Sequence, residues 1–307
     1  MRFSEALDGF WLAKKRGYSE STIYSHGLVF RRFRAFVGDA DVAGLTGDDI
    51  RRFLEAMQTR YELGDKTICN YWVALSAFWT WAEKEIGVEH IIRGRVERPR
   101  FQRKKIVAYR EGEVQAMIGA CAKADTWRTS TGKIARGKRP TADRDRAIIV
   151  TLVDTGLRAS ELCDLLIRDY DRERGSLYVR DGKWGKERTV YAGDATKRMI
   201  WRYLLGRKDA KPNDPLFATA SGRRMDRNNL RQTLQRIGGR GGVVNVTVHR
   251  FRHTYAITFL RNGGSPLVLQ ELLGHEKLDT VRIYTALAEI DLEKAQRASS
   301  PADGWDL

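Results

Sequence analysis

Between Arg93 and Lys105 the apolar periodicity of the chain stops. RGRVERPRFQRKK carries seven basic residues, one acid and a proline, and offers no helix face or strand alternation to bury. The stretch reads as a basic linker. It divides 307 residues into a segment 1–92 and a segment 106–307, each long enough for a core of its own.

The first segment is helical in pattern throughout. Phe3, Leu7, Phe10 and Trp11 form one stripe. Ser19 suits the N-cap of a helix carrying Ile23, Phe30, Phe33 and Phe36. Thr46 or Asp48 can cap a third helix with Ile50, Phe53, Leu54 and Met57. Asp65 can cap a long fourth with Ile68, Tyr71, Trp72, Leu75, Phe78, Trp79 and Ala82. Gly38, Gly44 and Gly64 mark the turns, and no strand is evident.

The second segment is mixed. Helices are expected over 111–121, 143–152, 160–166, 194–205, 226–237, 250–261, 266–273 and 278–287. Residues 126–142 are polar, basic and irregular, and read as a loop. Residues 176–179 and 188–191 alternate like strands around a glycine-rich turn at 182–185. The fold class is therefore mainly α with a small antiparallel β-sheet.

Charge narrows the partners. The formal net charge is +16 with a pI near 9.9, yet residues 1–100 hold 16 basic against 14 acidic side chains. Nearly all of the excess lies in the second segment and its leading linker, which favours a polyanion and suits an arm crossing a phosphate backbone. A basic amphipathic helix or lipidation signal for a membrane surface is not evident, and the longest apolar run, around Ala147 to Val153, is too short to span a bilayer. The charged N-terminus does not read as a secretory signal. Cys69, Cys121 and Cys163 form no CxxC pair, which speaks for a reducing cytosol and against a disulfide framework.

Six polar residues carry the chemistry. Arg158, in DTGLRASEL, sits where Gly156 ends one helix and the next begins, with Glu161 placed to brace it. A guanidinium there suits a phosphate clamp, because its planar fork meets two oxygens and keeps its charge. In VHRFRHTYA, His249 and Arg252 share a helix face, a candidate general base beside a second phosphate-binding group. His249 and His253 at i, i+4 resemble a zinc pair, but the Glu of HExxH is absent and no third ligand is evident. His253 reads as a buried, hydrogen-bonded helix histidine. His275 and, nine residues on, Tyr284 complete LLGHEKLDTVRIYTAL. A phenol attacks poorly unless the phosphate is neutralised and its proton has a destination. In the hairpin RDGKWGKERTV, Lys183 or Lys186 could protonate a leaving 5′ oxygen.

TGLRASEL, GKWGKER, HRFRH, LLGHEKLDT and the final tyrosine, in this order over residues 150–290, resemble the tyrosine recombinase (phage-integrase) family, nearest its Xer-like members. The helical first 90 residues are similar in type to that family's core-binding, SAM-like domain. The resemblance implies an α+β catalytic domain over 106–307, a tail from about 291, and a C-shaped clamp on DNA. It implies that Arg158, His249, Arg252 and His275 hold the scissile phosphate and that Glu161 supports Arg158. It implies that Tyr284 attacks to leave a 3′-phosphotyrosyl bond and that Lys183 is the general acid. Trp184 stands where a small residue is expected, so Lys186 stays open for that role. No metal, ATP or other cofactor is implied.

The implied partner is a double-stranded DNA recombination site, bound by a homotetramer on two sites that works through a Holliday junction, with or without a second recombinase or accessory proteins. The implied setting is cytoplasmic and nucleoid-associated. Arg100, Arg103, Lys104 and Lys105 in the linker, and Arg223, Arg224, Arg227 and Arg231 in or near one helix, are the candidate DNA contacts. The stretch 126–140 is longer than a minimal member needs and suits a further one. The tail 291–307 is expected to dock on a neighbouring protomer. A type IB topoisomerase, which relaxes DNA without exchanging partners, and a catalytically silent DNA-binding relative are the alternatives.

Overall fold

A computed structural model describes residues 1–102, 105–122, 139–180, 187–274, 281–288 and 300, together with the backbone of 127–128, 134–135 and 278–280. The chain forms two compact units, Met1–Lys104 and Lys105–Leu307.

The first unit is four helices: α1 (Phe3–Lys14), α2 (Glu20–Val37), α3 (Gly47–Arg60) and α4 (Asp65–Glu85). Their apolar stripes meet in an aromatic core. Phe3, Phe10, Phe30, Phe33, Phe53, Phe78 and Trp79 are essentially removed from water, each ring contributing roughly 1.5–3 kcal/mol by burial. The rings meet mostly edge to face or tilted, as at Phe10–Phe30 and Phe33–Phe53.

Local signals set the helix ends. Ser19 Oγ accepts from the Thr22 amide, and Thr46 and Asp49 cap each other's backbone at the start of α3. The expected cap at Asp65 is displaced by one residue. Gly64 is the N-cap of α4, while the Asp65 carboxylate accepts from Gln58 Nε2. Asp65 still complements the helix dipole from the first turn.

The beginning of the basic stretch packs onto this unit. Ile91, Ile92 and Val96 are buried in the aromatic core, Trp72 Nε1 donates to the Val96 carbonyl, and Lys66 lies over the ring of Phe101.

The second unit begins with α5 (Glu111–Ala120) and a two-residue ladder of β1 (Trp127–Arg128) with β2 (Ile134–Ala135), within the stretch expected to be loop. α6 (Ala142–Thr155) and α7 (Ala159–Asp164) follow. An antiparallel sheet comes next, made of β3 (Tyr170–Asp171), β4 (Ser176–Val179) and β5 (Arg188–Tyr191) in that order. β4 and β5 pair Leu177 with Val190, which places both on the buried face. The short β3 carries too little alternation to be seen in sequence. α8 (Asp194–Leu205), α9 (Arg227–Gly241), α10 (Val248–Arg261), α11 (Pro266–Leu273) and α12 (Leu278–Ala288) complete the unit.

α6 is the central helix. Ala147, Ile148, Ile149 and Leu152 are fully buried, and α6 packs against both α8 and α10. Among the described residues, no helix is long and apolar enough to cross a membrane.

α9 runs on through Gly238 and Gly239, where the sequence suggests a stop. Tertiary contact explains it. A Cβ on Gly238 would lie 2.4 Å from Val246 Cγ2, and one on Gly241 would lie 3.1 Å from the Ala116 carbonyl oxygen. Close approach needs hydrogen at these positions, and packing outweighs the helix propensity lost. Gly238→Ala is therefore expected to destabilise the second unit by about 1–3 kcal/mol despite alanine's better propensity. A melting temperature equal to or above that of the parent protein would contradict this packing account.

Candidate active site

Four elements converge on the C-terminal end of α11. Gly156 ends α6 in the left-handed region (φ 60°), and a Cβ there would lie 2.5 Å from the Tyr255 ring. The chain turns at once into α7, with Arg158 at its N-cap. The Arg158 amide donates to Glu161 Oε2 at 2.8 Å and its Nη1 to Oε1 at 2.6 Å. The second guanidinium nitrogen, Nη2, donates to the Gly274 carbonyl at 3.0 Å.

Arg188, on β5, grips the same carboxylate from another side. Its Nη1 and Nη2 reach Oε1 and Oε2 at 2.9 and 2.8 Å, and its Nε donates to the Leu272 carbonyl at 2.8 Å. Arg252, on α10, donates to the Gly156 carbonyl at 2.8 Å and to the Leu273 carbonyl at 2.5 Å. Three consecutive carbonyls at the end of α11, those of Leu272, Leu273 and Gly274, thus each receive a different arginine. Cations at a helix C-terminus are favoured by its dipole and supply the donors its last carbonyls lack.

The electrostatics are uneven. Burial opposes ionisation of Glu161, but the hydrogen bonds and charges of Arg188 and Arg158 outweigh it and bring the carboxyl down to about 2. Arg252 is 2% exposed; burial, then the charge of Arg158, lowers its guanidinium to about 10. One carboxylate faces three guanidiniums, so the site favours an anion.

α10 presents the histidines. Thr247 caps the helix by accepting from the Arg250 amide. Tyr109 Oη accepts from the Thr247 amide, and Arg250 stacks on the Tyr109 ring and pairs with Glu113, which ties α10 to the start of α5. His249 opens to solvent near Arg252 and Arg158. Partial desolvation, then those two charges, lowers its pKa. One turn on, His253 lies 4.3 Å from His249 between ring centroids, and its Nδ1 is 2.9 Å from Tyr284 Oη.

Tyr284 comes from α12, whose Val281, Tyr284 and Ala288 face Ala256, Ile257, Leu260, Leu269 and Leu273. The tyrosine is 2% exposed; burial raises its pKa, against an opposing pull from Arg252.

Of the residues singled out in the sequence, Arg158, Glu161, His249, Arg252 and Tyr284 come together here. Lys183, Lys186, His275, Arg103, Lys104 and the tail 291–307, apart from Ser300, lie outside the described residues. Arg100, Lys105, Arg223, Arg224, Arg227 and Arg231 are exposed, and Arg224 lines one cavity with Glu161 and Asp164. Arg224 pairs with Asp164, and Arg231 donates to Asn228 Oδ1. Among the described residues no group of three His, Cys, Asp or Glu side chains is placed to hold a metal ion.

Sequence reasoning missed Arg188 and the Tyr284 bond of His253. Arg188 had a signal: at an interior-adjacent strand position, a charged residue pointing toward the core needs a buried partner. His253 had the i, i+4 spacing from His249, but nothing local placed Tyr284 beside it.

Two family models match the chain: the phage integrase family over residues 110–290, and the phage integrase N-terminal SAM-like domain over residues 7–87. Tyrosine recombinase XerA of Saccharolobus solfataricus is 30% identical over 299 residues, covering 92% of this chain and 90% of that protein. Tyrosine recombinase XerC of Mycobacterium sp. strain JLS is 29% identical, with 96% and 98% covered. Among solved structures, the Tn1549 transposon integrase with a circular intermediate DNA superposes with a TM-score of 0.74 at 19% identity, over 96% of this chain and 99% of that one. The XerH recombinase on its palindromic difH substrate gives 0.70 at 21%, over 95% and 82%. Those two likenesses speak to fold. With a catalytic-family match over more than half its length and a relative of 30% identity spanning nearly all of it, this chain belongs to the phage integrase family of tyrosine recombinases, enzymes that transfer DNA strands at specific sites.

Proposed function

We propose that Tyr284 is the nucleophile of this recombinase and that Arg158, His249 and Arg252, with His275, hold the scissile phosphate. The carrying observation is that Arg158 and Arg252 converge on the end of α11 beside His249 while Tyr284 Oη sits one α10 turn away, against His253. Three guanidiniums balanced by one carboxylate favour a phosphodiester. As phosphorus becomes five-coordinate, charge grows on its non-bridging oxygens, and donors already in place stabilise it without reorganisation. Tyr284 Oη bonds to phosphorus, the 5′ oxygen leaves with a proton from a general acid, and the 3′-phosphotyrosyl ester retains the bond energy for rejoining. Lys183, or Lys186 in the same hairpin, is the proposed acid.

The partner proposed is a double-stranded recombination site. The exposed Arg100, Lys105, Arg223, Arg224, Arg227 and Arg231, with Arg103 and Lys104, are proposed as backbone contacts, whose role is to set register rather than read bases. Four copies on two sites, exchanging strands in pairs through a Holliday junction, are the proposed assembly, acting in the cytoplasm on the nucleoid.

The test uses a nicked suicide duplex carrying a site selected from random-sequence DNA by binding to the full-length protein. An SDS-resistant adduct is expected, with the phosphate mapped to Tyr284 and none formed by Tyr284→Phe. Linkage to another side chain sinks the proposal, and relaxation of a single supercoiled plasmid without strand exchange would indicate topoisomerase chemistry instead.

Arg158→Lys is expected to bind DNA as before but to cleave it roughly 100- to 1,000-fold more slowly, the usual loss when one oxyanion donor is misplaced. Cleavage at the parental rate would contradict the clamp.

Glu161 makes the second unit sensitive to acid. Its carboxyl falls from an ordinary value near 4.5 to about 2 on folding. The stabilisation is present above the unfolded value and is lost as pH drops from about 4.5 toward 2, on the order of 3 kcal/mol in all. Glu161→Gln should be less stable at neutral pH and lose less further stability across that window. Parallel acid-unfolding curves for the two proteins would count against the ion triad.

A further inference from the structure

The histidine that meets the Tyr284 hydroxyl is His253, and this pairing has a chemical consequence for the reaction proposed above, on which the inference rests. We propose that His253 holds the nucleophile and takes up its proton as Oη bonds to phosphorus, which leaves His249 to the phosphate.

The geometry supports this first. Nδ1 of His253 and Oη of Tyr284 are 2.9 Å apart, within the range required of a general base and the proton it removes. A phenol donating to Nδ1 fixes the ring proton on Nε2. Burial supports it second. Tyr284 is 2% exposed and His253 is partly buried, so bulk water is a poor acceptor at Oη.

The electrostatics support it third. Burial, then His249 and Arg252, lowers His253 to about 4, so at neutral pH the ring is uncharged and keeps a lone pair for the phenol. An imidazole that weak does not ionise a buried tyrosine in the free protein. An incoming phosphate changes the balance, because negative charge beside the ring favours its protonated form. Base strength therefore appears when DNA is in place.

The step balances. The Oη–P bond forms as the Oη–H bond breaks, and that proton goes to Nδ1. The bond from phosphorus to the 5′ oxygen breaks, and that oxygen receives its proton from the general acid. In rejoining, the 5′ hydroxyl gives its proton back to the deprotonated general acid as its oxygen bonds to phosphorus, and His253 returns its proton to the departing phenol.

His253→Phe keeps a ring at the position without an acceptor. His253→Asn keeps a hydrogen-bonding group near Nδ1 that does not accept a proton at working pH. With the suicide duplex described above, both variants should form the Tyr284 adduct at least ~100-fold more slowly, the lower end of what a general base contributes, with binding in gel shifts little changed. Difluorotyrosine at position 284 has a more acidic phenol, and in the His253→Phe background it should recover about tenfold or more of the loss.

A structural role alone would be insensitive to phenol acidity. Rates close to the parent in either variant, restoration by asparagine, or no recovery with the fluorinated phenol would each overturn the assignment. If the parent protein itself forms no adduct at Tyr284, the nucleophile reading falls as well. A parental adduct with undiminished variant rates overturns the role of His253 alone.

Discussion

The site depends on one buried carboxylate. Glu161 accepts from two arginines that come from different elements, Arg158 at the start of α7 and Arg188 on β5. Without it, two guanidiniums would face each other and Arg252 with no counter-charge, in surroundings where an unpaired ion is costly. With it, both planes are oriented, and their remaining donors reach the carbonyls of Leu272 and Gly274. Arg252 completes the set at Leu273.

That arrangement turns the end of α11 into a hub. Gly274 ends α11 in the left-handed region, and the helix dipole and its last carbonyls hold three cations there. His275 follows directly in sequence. Each arginine directs some of its donors to backbone or to Glu161, which fixes its orientation. Preorganisation of this kind is what lets fixed charges stabilise a transition state without moving. Tyr284 is held differently, by an apolar helix face and by His253, so the tyrosine and the arginine cluster rest on different contacts that share α10 and α11.

The expected folding pattern is visible at the level of elements. Apolar spacing placed α1 to α4, and the strand alternation at 176–179 and 188–191 matches β4 and β5. The differences are instructive. Asp65 stands in the first turn of α4 and not at its cap, and its carboxylate accepts from Gln58. α9 passed through two glycines because Val246 needs the space beside Gly238. β3 has two residues and exists only because β4 lies beside it. Each departure accompanies a contact that residue propensity alone does not predict.

The same division holds for function. The amino-acid order alone carried the family, the mainly helical class with its small sheet, and the expectation of a site drawn from Arg158 to Tyr284, because these rest on residue type, spacing and helical periodicity. Only the tertiary structure decided that Arg188 shares Glu161 with Arg158 and that Tyr284 meets His253 rather than standing apart on its helix. The physical reason is range. Periodicity and capping act over one or two helical turns, whereas Arg188 and Glu161 are 27 positions apart and His253 and Tyr284 are 31. Such pairs form when helices pack, and no local pattern encodes which face will meet which.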